Sequence, residues 1–351
     1  MNDYRVGAAI AAGDGYTIVE NASLQGRNTF RVPARAAMLV DVRKPEAFGE
    51  LFGYAMLRTQ PLLVLGEGSN VLFTRDWPGV VLAVAALGIR VLHDDGTRAR
   101  MRVEAGENWN DFVRWSLGRG YAGLENLVLI PGTVGAAPIQ NIGAYGTEVR
   151  EFIAAVEAWD RDAGRLVTLT NAECAFAYRD SLFKRARDRY VVTAVEFELT
   201  RARALRVDYA GVREELAAMG VTEPSAPTIA EAIARIRTRK LPNPAILGNA
   251  GSFFKNPLVE PDRARSLLAT HPGLPVWPAG DRSKLSAAWL IEACGLKGLR
   301  DGDAGISSQH ALVLVNHGHA SGAALWALAE RVRATVRERF GVELEPEPLV
   351  V

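Results

Sequence analysis

Three short stretches of the sequence carry residue types suited to polar chemistry. GEGSN (residues 66–70) follows an apolar run and offers small residues, successive backbone N–H groups and one hydroxyl, the composition with which a loop nests a pyrophosphate. It is not the dinucleotide fingerprint, because a G-x-G-x-x-G loop opens a helix and the Val-Leu-Phe after Asn70 reads as extended. Taken alone, the loop fits a plain hairpin turn equally well. YRDS (residues 178–181) sets Arg179 between a tyrosine and a carboxylate. An arginine fork matches a carboxylate or phosphate, although beside Asp180 a surface ion pair is its commoner use. GNAGSFFKNP (residues 248–257) joins two glycines, two amides, the Ser252 hydroxyl, Lys255 and a pair of aromatics, a composition that can coat a polar ligand.

Other chemistries are disfavoured. Ser252 lacks the G-x-S-x-G frame of a hydrolase nucleophile, and His271, the next histidine, lies in a Pro/Gly-rich stretch with no triad pattern. The five histidines form no H-E-x-x-H, His317 with His319 reads as a solvated turn, and no metal site is expected. Lys and Arg total 41 against 40 Asp and Glu, leaving a formal +1 and no broad field for nucleic acid or anionic membrane. The longest apolar run, residues 80–89, is interrupted by Gly88 and falls well short of the ~20 residues of a membrane span. The first residues lack the basic start and apolar core of an export signal. Cys174 and Cys294 stand far apart, so a reducing, cytoplasmic setting is expected.

The elements that must position these stretches can be read from periodicity. The 351 residues suggest two or three domains. PLLVL (residues 61–65) reads as a buried strand resumed at Val71, Leu72 and Phe73, and residues 100–105 and 190–199 also read as strands. Asn108 is placed to cap a short helix carrying Trp109, Phe112 and Val113. GLENLVLIPGTVGAAPIQNIGAYG (residues 123–146) holds seven glycines and prolines, which excludes a long regular helix and permits close backbone approach to a ligand. After the Pro224–Pro227 linker, Thr228 and Glu231 form a T-x-x-E capping box for a helix marked by Ile229, Ile233 and Ile236, ended by the basic cluster Arg235, Arg237, Arg239 and Lys240. Residues 285–294 read as a helix stopped by Gly295, residues 311–315 as a buried strand, and Leu325 to Phe340 as an amphipathic helix terminated by Gly341.

The motifs together resemble one family, the UDP-N-acetylenolpyruvoylglucosamine reductases. In the family's order stand NTF (28–30), LGEGSNVL (65–72), AGENW (105–109), GLENL and IPG.VG within 123–135, P.QNIGAYG (138–146), YRDS.FK (178–184), R..KLP (237–242), GNAGSFFKNP (248–257) and LEPE (344–347). They span nearly the whole chain. The resemblance implies an α+β protein: an FAD-binding fold of the vanillyl-alcohol-oxidase type in two subdomains, with a C-terminal α/β substrate-binding domain. The expected organisation is an extension over residues 1–20, a first FAD-binding subdomain over 21–76 joined by 345–351, a second over 77–236 and the substrate domain over 237–344.

The activity implied is NADPH-dependent reduction of UDP-N-acetylglucosamine enolpyruvate to UDP-N-acetylmuramate in peptidoglycan synthesis, a hydride passing from NADPH to FAD and from FAD to the vinyl carbon. No histidine lies in the flavin loops, so FAD is expected to be non-covalent. Its expected contacts are Leu65, Gly66, Gly68, Ser69 and Asn70, with Gly132, Thr133, Gly135, Gly143, Ala144, Tyr145 and Gly146 from the glycine-rich segment. Arg179 would clamp the substrate carboxylate, Glu347 would assist on the same group while protonated, and Ser252 would supply the final proton. Lys240, Asn256 and Gly251 are the expected substrate contacts, together with Tyr209, which matches the tyrosine-bearing loop of the longer subclass. The expected partner is the UDP-sugar enolpyruvyl ether alone, bound by a monomer. The sequence departs from the family at its last four residues: Pro348 donates no N–H and shortens the final strand, which makes Glu345 a substitute candidate for Glu347.

Overall fold

The apolar residues Val80, Val81, Leu82 and Ala83 are all buried because their strand, β6 (Trp77–Val84), lies inside a sheet between two parallel neighbours, β3 (Arg35–Val42) and β4 (Leu62–Leu65). A strand covered on both faces reads as continuous apolar sequence rather than alternation. With β1 (Ala9–Gly13) and β2 (Tyr16–Ser23), these form a five-stranded sheet in the order β1-β2-β3-β6-β4. The structure, a computed structural model, describes residues 9–351. Residues 1–8 of the segment set apart as 1–20 lie outside the described residues.

The chain divides into two compact units. Unit 1 comprises the residues up to Ala22, Ala36–Glu67 and Trp77–Arg237, and unit 2 comprises Ser23–Arg35, Gly68–Asp76 and Thr238–Val351. Besides the sheet above, unit 1 has α1 (Phe48–Leu51), α2 (Ala55–Thr59) and an antiparallel five-stranded sheet. That sheet runs β12 (Arg165–Thr170), β11 (Ile153–Asp160), β13 (Tyr190–Thr200), β8 (Arg98–Glu104) and β7 (Ile89–Asp94). One face packs on a core shared with α3 (Trp109–Gly118), α5 (Val212–Ala218) and α6 (Ala226–Lys240). The other carries cross-strand ion pairs, among them Arg102 to Glu157 (2.7 Å) and Arg100 to Glu196 (2.7 Å). The short α4 (Leu182–Arg185) and a two-residue hairpin of β9 (Gly143–Ala144) and β10 (Thr147–Glu148) complete the unit.

Asn108 caps α3 as its sequence predicts, its side chain accepting the Asp111 N–H. The start of α6 differs from expectation. The helix begins at Ala226, two residues before Thr228, and Ser225 exchanges hydrogen bonds with Thr228, while Glu231 pairs with Arg235 four residues on. Pro227 explains the shift: proline is tolerated in the first turn, where its missing N–H would lack a partner anyway.

Unit 2 contains β5 (Val71–Leu72), paired in parallel with β20 (Leu349–Val350). The final strand is thus two residues long, as Pro348 predicts. A sheet of β14 (Leu258–Val259), β16 (Arg282–Leu285) and β15 (Val276–Ala279) and another of β17 (Arg300–Asp301), β18 (Ala304–Ile306) and β19 (Leu314–Asn316) follow. The helices are α7 (Pro261–Thr270), α8 (Ala287–Ala293) and α9 (Gly322–Phe340). Leu285, expected to open a helix, instead ends β16, because the Ser286 hydroxyl caps α8 one residue later by accepting the Trp289 N–H. Gly341 ends α9 in the left-handed conformation, φ +62°.

Acid sensitivity follows from a buried carboxylate. Arg189 donates from Nη2 to Asp160 Oδ2 (2.8 Å), and the N–H groups of Asp162 and Ala163 donate to Oδ1. The Arg189 guanidinium first, then these N–H groups, hold the Asp160 carboxyl below the usual range. A depressed folded-state value stabilises the protein above the unfolded carboxylate pKa of ~3.9, and that contribution is lost as pH falls through the folded value. Arg189→Met is therefore expected to destabilise the chain at neutral pH and to raise its acid-unfolding midpoint. Circular dichroism titration checks this, and coincident wild-type and variant curves would contradict it.

Candidate active site

The glycine-rich segment of unit 1 takes its shape from α3. Trp109 N–H donates to Gly132 O (3.0 Å), Val134 N–H to Glu107 O (2.8 Å), and the Trp109 indole to Leu127 O (2.9 Å). Gly66 lies against this segment so closely that a Cβ there would stand 2.8 Å from Thr133 Oγ1, and a Cβ on Gly135 would stand 2.5 Å from Ala105 Cβ. The N–H groups of Gly132 and Gly135 are already used, by the Glu67 carboxylate (2.7 Å) and the Ala105 carbonyl (2.9 Å). These two glycines thus offer closeness of approach rather than a donor. Ala144 and Thr147 flank a two-residue turn in which Tyr145 (φ +48°) and Gly146 (φ +77°) are both left-handed, the geometry of a tight hairpin. Such a φ costs a tyrosine on the order of 1 kcal/mol. Asn126 Nδ2 steadies the turn by donating to the Tyr145 carbonyl (3.1 Å).

Arg179 meets the same segment. Its Nη2 donates to Gly143 O (2.6 Å), its own φ is +54°, and Asn141 Nδ2 ties the preceding turn by donating to Ala177 O (3.0 Å). Asp180, its sequence neighbour, pairs with Arg185. Tyr209, half-exposed at 53%, sets its ring edge-on to Tyr145 with centroids 5.1 Å apart. Arg206 donates to Gly146 O (2.7 Å). Burial raises the Tyr145 phenol pKa, keeping it neutral. Within unit 1, the structure thus brings together Gly66, the 132–146 residues, Arg179 and Tyr209.

Unit 2 holds the remaining candidates. Gly68 is left-handed (φ +72°), and a Cβ there would fall 2.0 Å from Arg27 O, so no other residue fits. Ser69 and Asn70 follow; Asn70 Nδ2 donates to Glu347 O (3.3 Å), and Leu349 N–H donates to Asn70 O (3.0 Å). In the 248–257 loop, Asn249 accepts the Gly251 N–H (2.9 Å) and donates to Pro242 O (3.0 Å). Beyond Ser252, Phe253 is buried, donating to Leu312 O (2.7 Å) and accepting from Glu347 N–H (2.8 Å). The serine and Glu347 are therefore held on adjoining backbone. Glu345, the substitute candidate, is instead exposed and paired with Lys255. Asn256 Oδ1 accepts the Ala287 N–H (3.0 Å) at the start of α8. Lys240 is exposed and acts on His310, whose pKa is lowered by burial first and then by the Lys240 and Lys297 charges.

Glu67, Asn126 and Arg237 shape this region without having been singled out. Each stood inside a quoted motif. The available signal was a carboxylate, an amide or a guanidinium set among turn glycines and apolar residues, where burial requires a partner.

Residues 36–170 match the FAD-binding domain family. The close approach of backbone at Gly66 and Gly135 leaves a cradle that fits such a group. The fold and site define an FAD-binding oxidoreductase of α+β class. Residues 243–351 match the C-terminal domain of UDP-N-acetylenolpyruvoylglucosamine reductase. The chain is 53% identical over 338 residues to the protein of that name from Xanthomonas campestris pv. campestris (strain B100), covering 96% of this chain and 97% of that one. It is 51% identical over 334 residues to that from Chromobacterium violaceum, covering 94% and 98%. The crystal structure of UDP-N-acetylenolpyruvylglucosamine reductase from Thermus caldophilus superposes with a TM-score of 0.65 at 27% identity, covering 95% of this chain and 98% of that one. The chain belongs to the UDP-N-acetylenolpyruvoylglucosamine reductase family. No helix among the described residues is long and apolar enough to cross a membrane.

Proposed function

We propose that the chain reduces UDP-N-acetylglucosamine enolpyruvate to UDP-N-acetylmuramate, using non-covalent FAD and NADPH. The observation that carries this reading is the similarity to reductases of that name over 96% of the chain, which leaves neither unit outside the match. The bound flavin supplies a hydride donor that NADPH reloads. Leu65, Gly66, Gly68, Ser69, Asn70, Thr133, Gly135 and the 143–146 turn would hold it. Gly132 lends close approach.

Reduction of the vinyl group leaves negative charge on the neighbouring carbon and its carboxylate. Arg179, oriented by the Gly143 carbonyl, opposes that charge, an interaction stronger in the transition state than in the ground state. Glu347 acts on the same carboxylate in its protonated form, since a bare carboxylate would repel it. Ser252 gives its Oγ proton to the carbanion: the O–H bond breaks, a C–H bond forms, and solvent restores the hydroxyl. Lys240 meets the substrate phosphate, Asn256 the sugar through its amide N–H, and Gly251 admits the ligand close to the backbone. Tyr209 folds over the uridyl diphosphate.

The purified protein is expected to show flavin absorption that NADPH bleaches anaerobically and that the enolpyruvyl substrate restores. Spectrophotometry checks each step. A colourless preparation that takes up no FAD, or a bleached one that the substrate leaves bleached, would sink the reading.

A further inference from the structure

The turn that carries Arg179 is fastened at several points, and the residue itself is strained. Ala177 and Asp180 exchange backbone hydrogen bonds (2.9 and 3.2 Å), so Tyr178 and Arg179 are the central pair of a tight turn, with Arg179 in the second place at φ +54°. That place ordinarily goes to glycine or asparagine, since other side chains are strained there. Three bonds clasp the turn to the glycine-rich segment at alternate residues. Asn141 Nδ2 donates to Ala177 O (3.0 Å), Arg179 Nη2 to Gly143 O (2.6 Å) and Ser181 Oγ to Ile139 O (2.6 Å). Asn141 and Ser181 are both buried. The Ser181 oxygen also accepts the Lys184 N–H (3.3 Å) as the cap of α4, and Lys184 Nζ returns to Arg179 O (3.0 Å). One hydroxyl thus joins the segment, the helix and, through that helix, the strained residue.

We infer that Ser181 is a positioning residue for Arg179, its buried hydroxyl fixing where the guanidinium stands before substrate arrives. This rests on the reading of Arg179 as the clamp on the substrate carboxylate. An arginine side chain is long and flexible, and a charge opposes developing charge best when its place is set before the reaction rather than during it. The left-handed backbone at 179 sets the direction in which that side chain leaves the turn. Holding an arginine there needs ties on both sides, and Ser181 supplies one to the segment and one to α4. Its hydroxyl is buried and bonded to the protein's own groups, so its influence on the substrate runs through Arg179.

The test uses the FAD-loaded enzyme and rapid mixing of each half-reaction. Ser181→Ala is expected to retain FAD at wild-type stoichiometry and to leave flavin reduction by NADPH unchanged. Reduction of the enolpyruvyl substrate should slow about tenfold, short of the ~10²-fold that a 1 Å misplacement can cost. In an Arg179→Met background the same substitution should change that rate by less than about twofold, because a residue that acts through another then has nothing left to act on. Ser181→Cys, which keeps the bulk and a weak donor, should show the same pattern with a smaller loss. Substrate reduction at the wild-type rate, equal slowing of both half-reactions, a loss that multiplies with that of Arg179→Met, or failure of both variants to retain FAD each overturns the inference. Turnover left intact by Arg179→Met alone would overturn the carboxylate reading instead, so the two failures are distinguishable.

Discussion

Ser252→Ala is expected to leave reduction of the flavin by NADPH near its wild-type rate and to slow reduction of the enolpyruvyl substrate by about 10²-fold or more, the scale of a lost general acid. Separation of the two half-reactions is the informative part. The backbone around residue 252 is fixed by its neighbours: Gly251 is tied to Asn249, and Phe253 is buried and bonded to Leu312 and Glu347. Removing one hydroxyl therefore takes away a proton and leaves the loop in place. Rapid-mixing spectroscopy of each half-reaction checks this. Equal impairment of both would mean that the substitution damaged the site as a whole, and Ser252 would lose its assigned role.

Arg179→Met is expected to reduce turnover by about 10²- to 10³-fold, the usual cost of deleting one preorganised charge-stabilising group. Here a structural effect must be separated from a chemical one, because Arg179 also donates to the Gly143 carbonyl in the glycine-rich segment. Flavin content makes the separation. If the variant retains FAD at wild-type stoichiometry while substrate reduction collapses, the loss belongs to the substrate carboxylate; unchanged turnover would remove Arg179 from that site.

The parts of this molecule legible in the sequence were those with a local cause. Asn108 caps α3 because its side chain lies one turn from the N–H it accepts, and Gly341 stops α9 because glycine tolerates the left-handed geometry. The irregularity of residues 123–146 followed from their glycines and prolines. Where two local signals competed, the reading slipped. Ser225 and Thr228 both suit a cap, and Pro227 decided for the earlier start. The environment of Arg237 was hidden for another reason. Arg237 read with Arg235, Arg239 and Lys240 as a basic cluster ending the helix, and the shielding of its Nε is set by tertiary packing. The motifs named the family, and the placement of Arg179 against Gly143 and of Tyr209 against Tyr145 had to come from three dimensions.

The bonds from Trp109, Val134 and Gly132 that shape the glycine-rich segment all end on the protein's own groups. A scaffold that is self-supporting in this way carries little ordering entropy over to the binding step, which is the general route by which preorganisation raises affinity. Stripping of the cofactor under mild conditions should accordingly be reversible, giving a stable vessel that can be refilled with flavin analogues of altered redox potential.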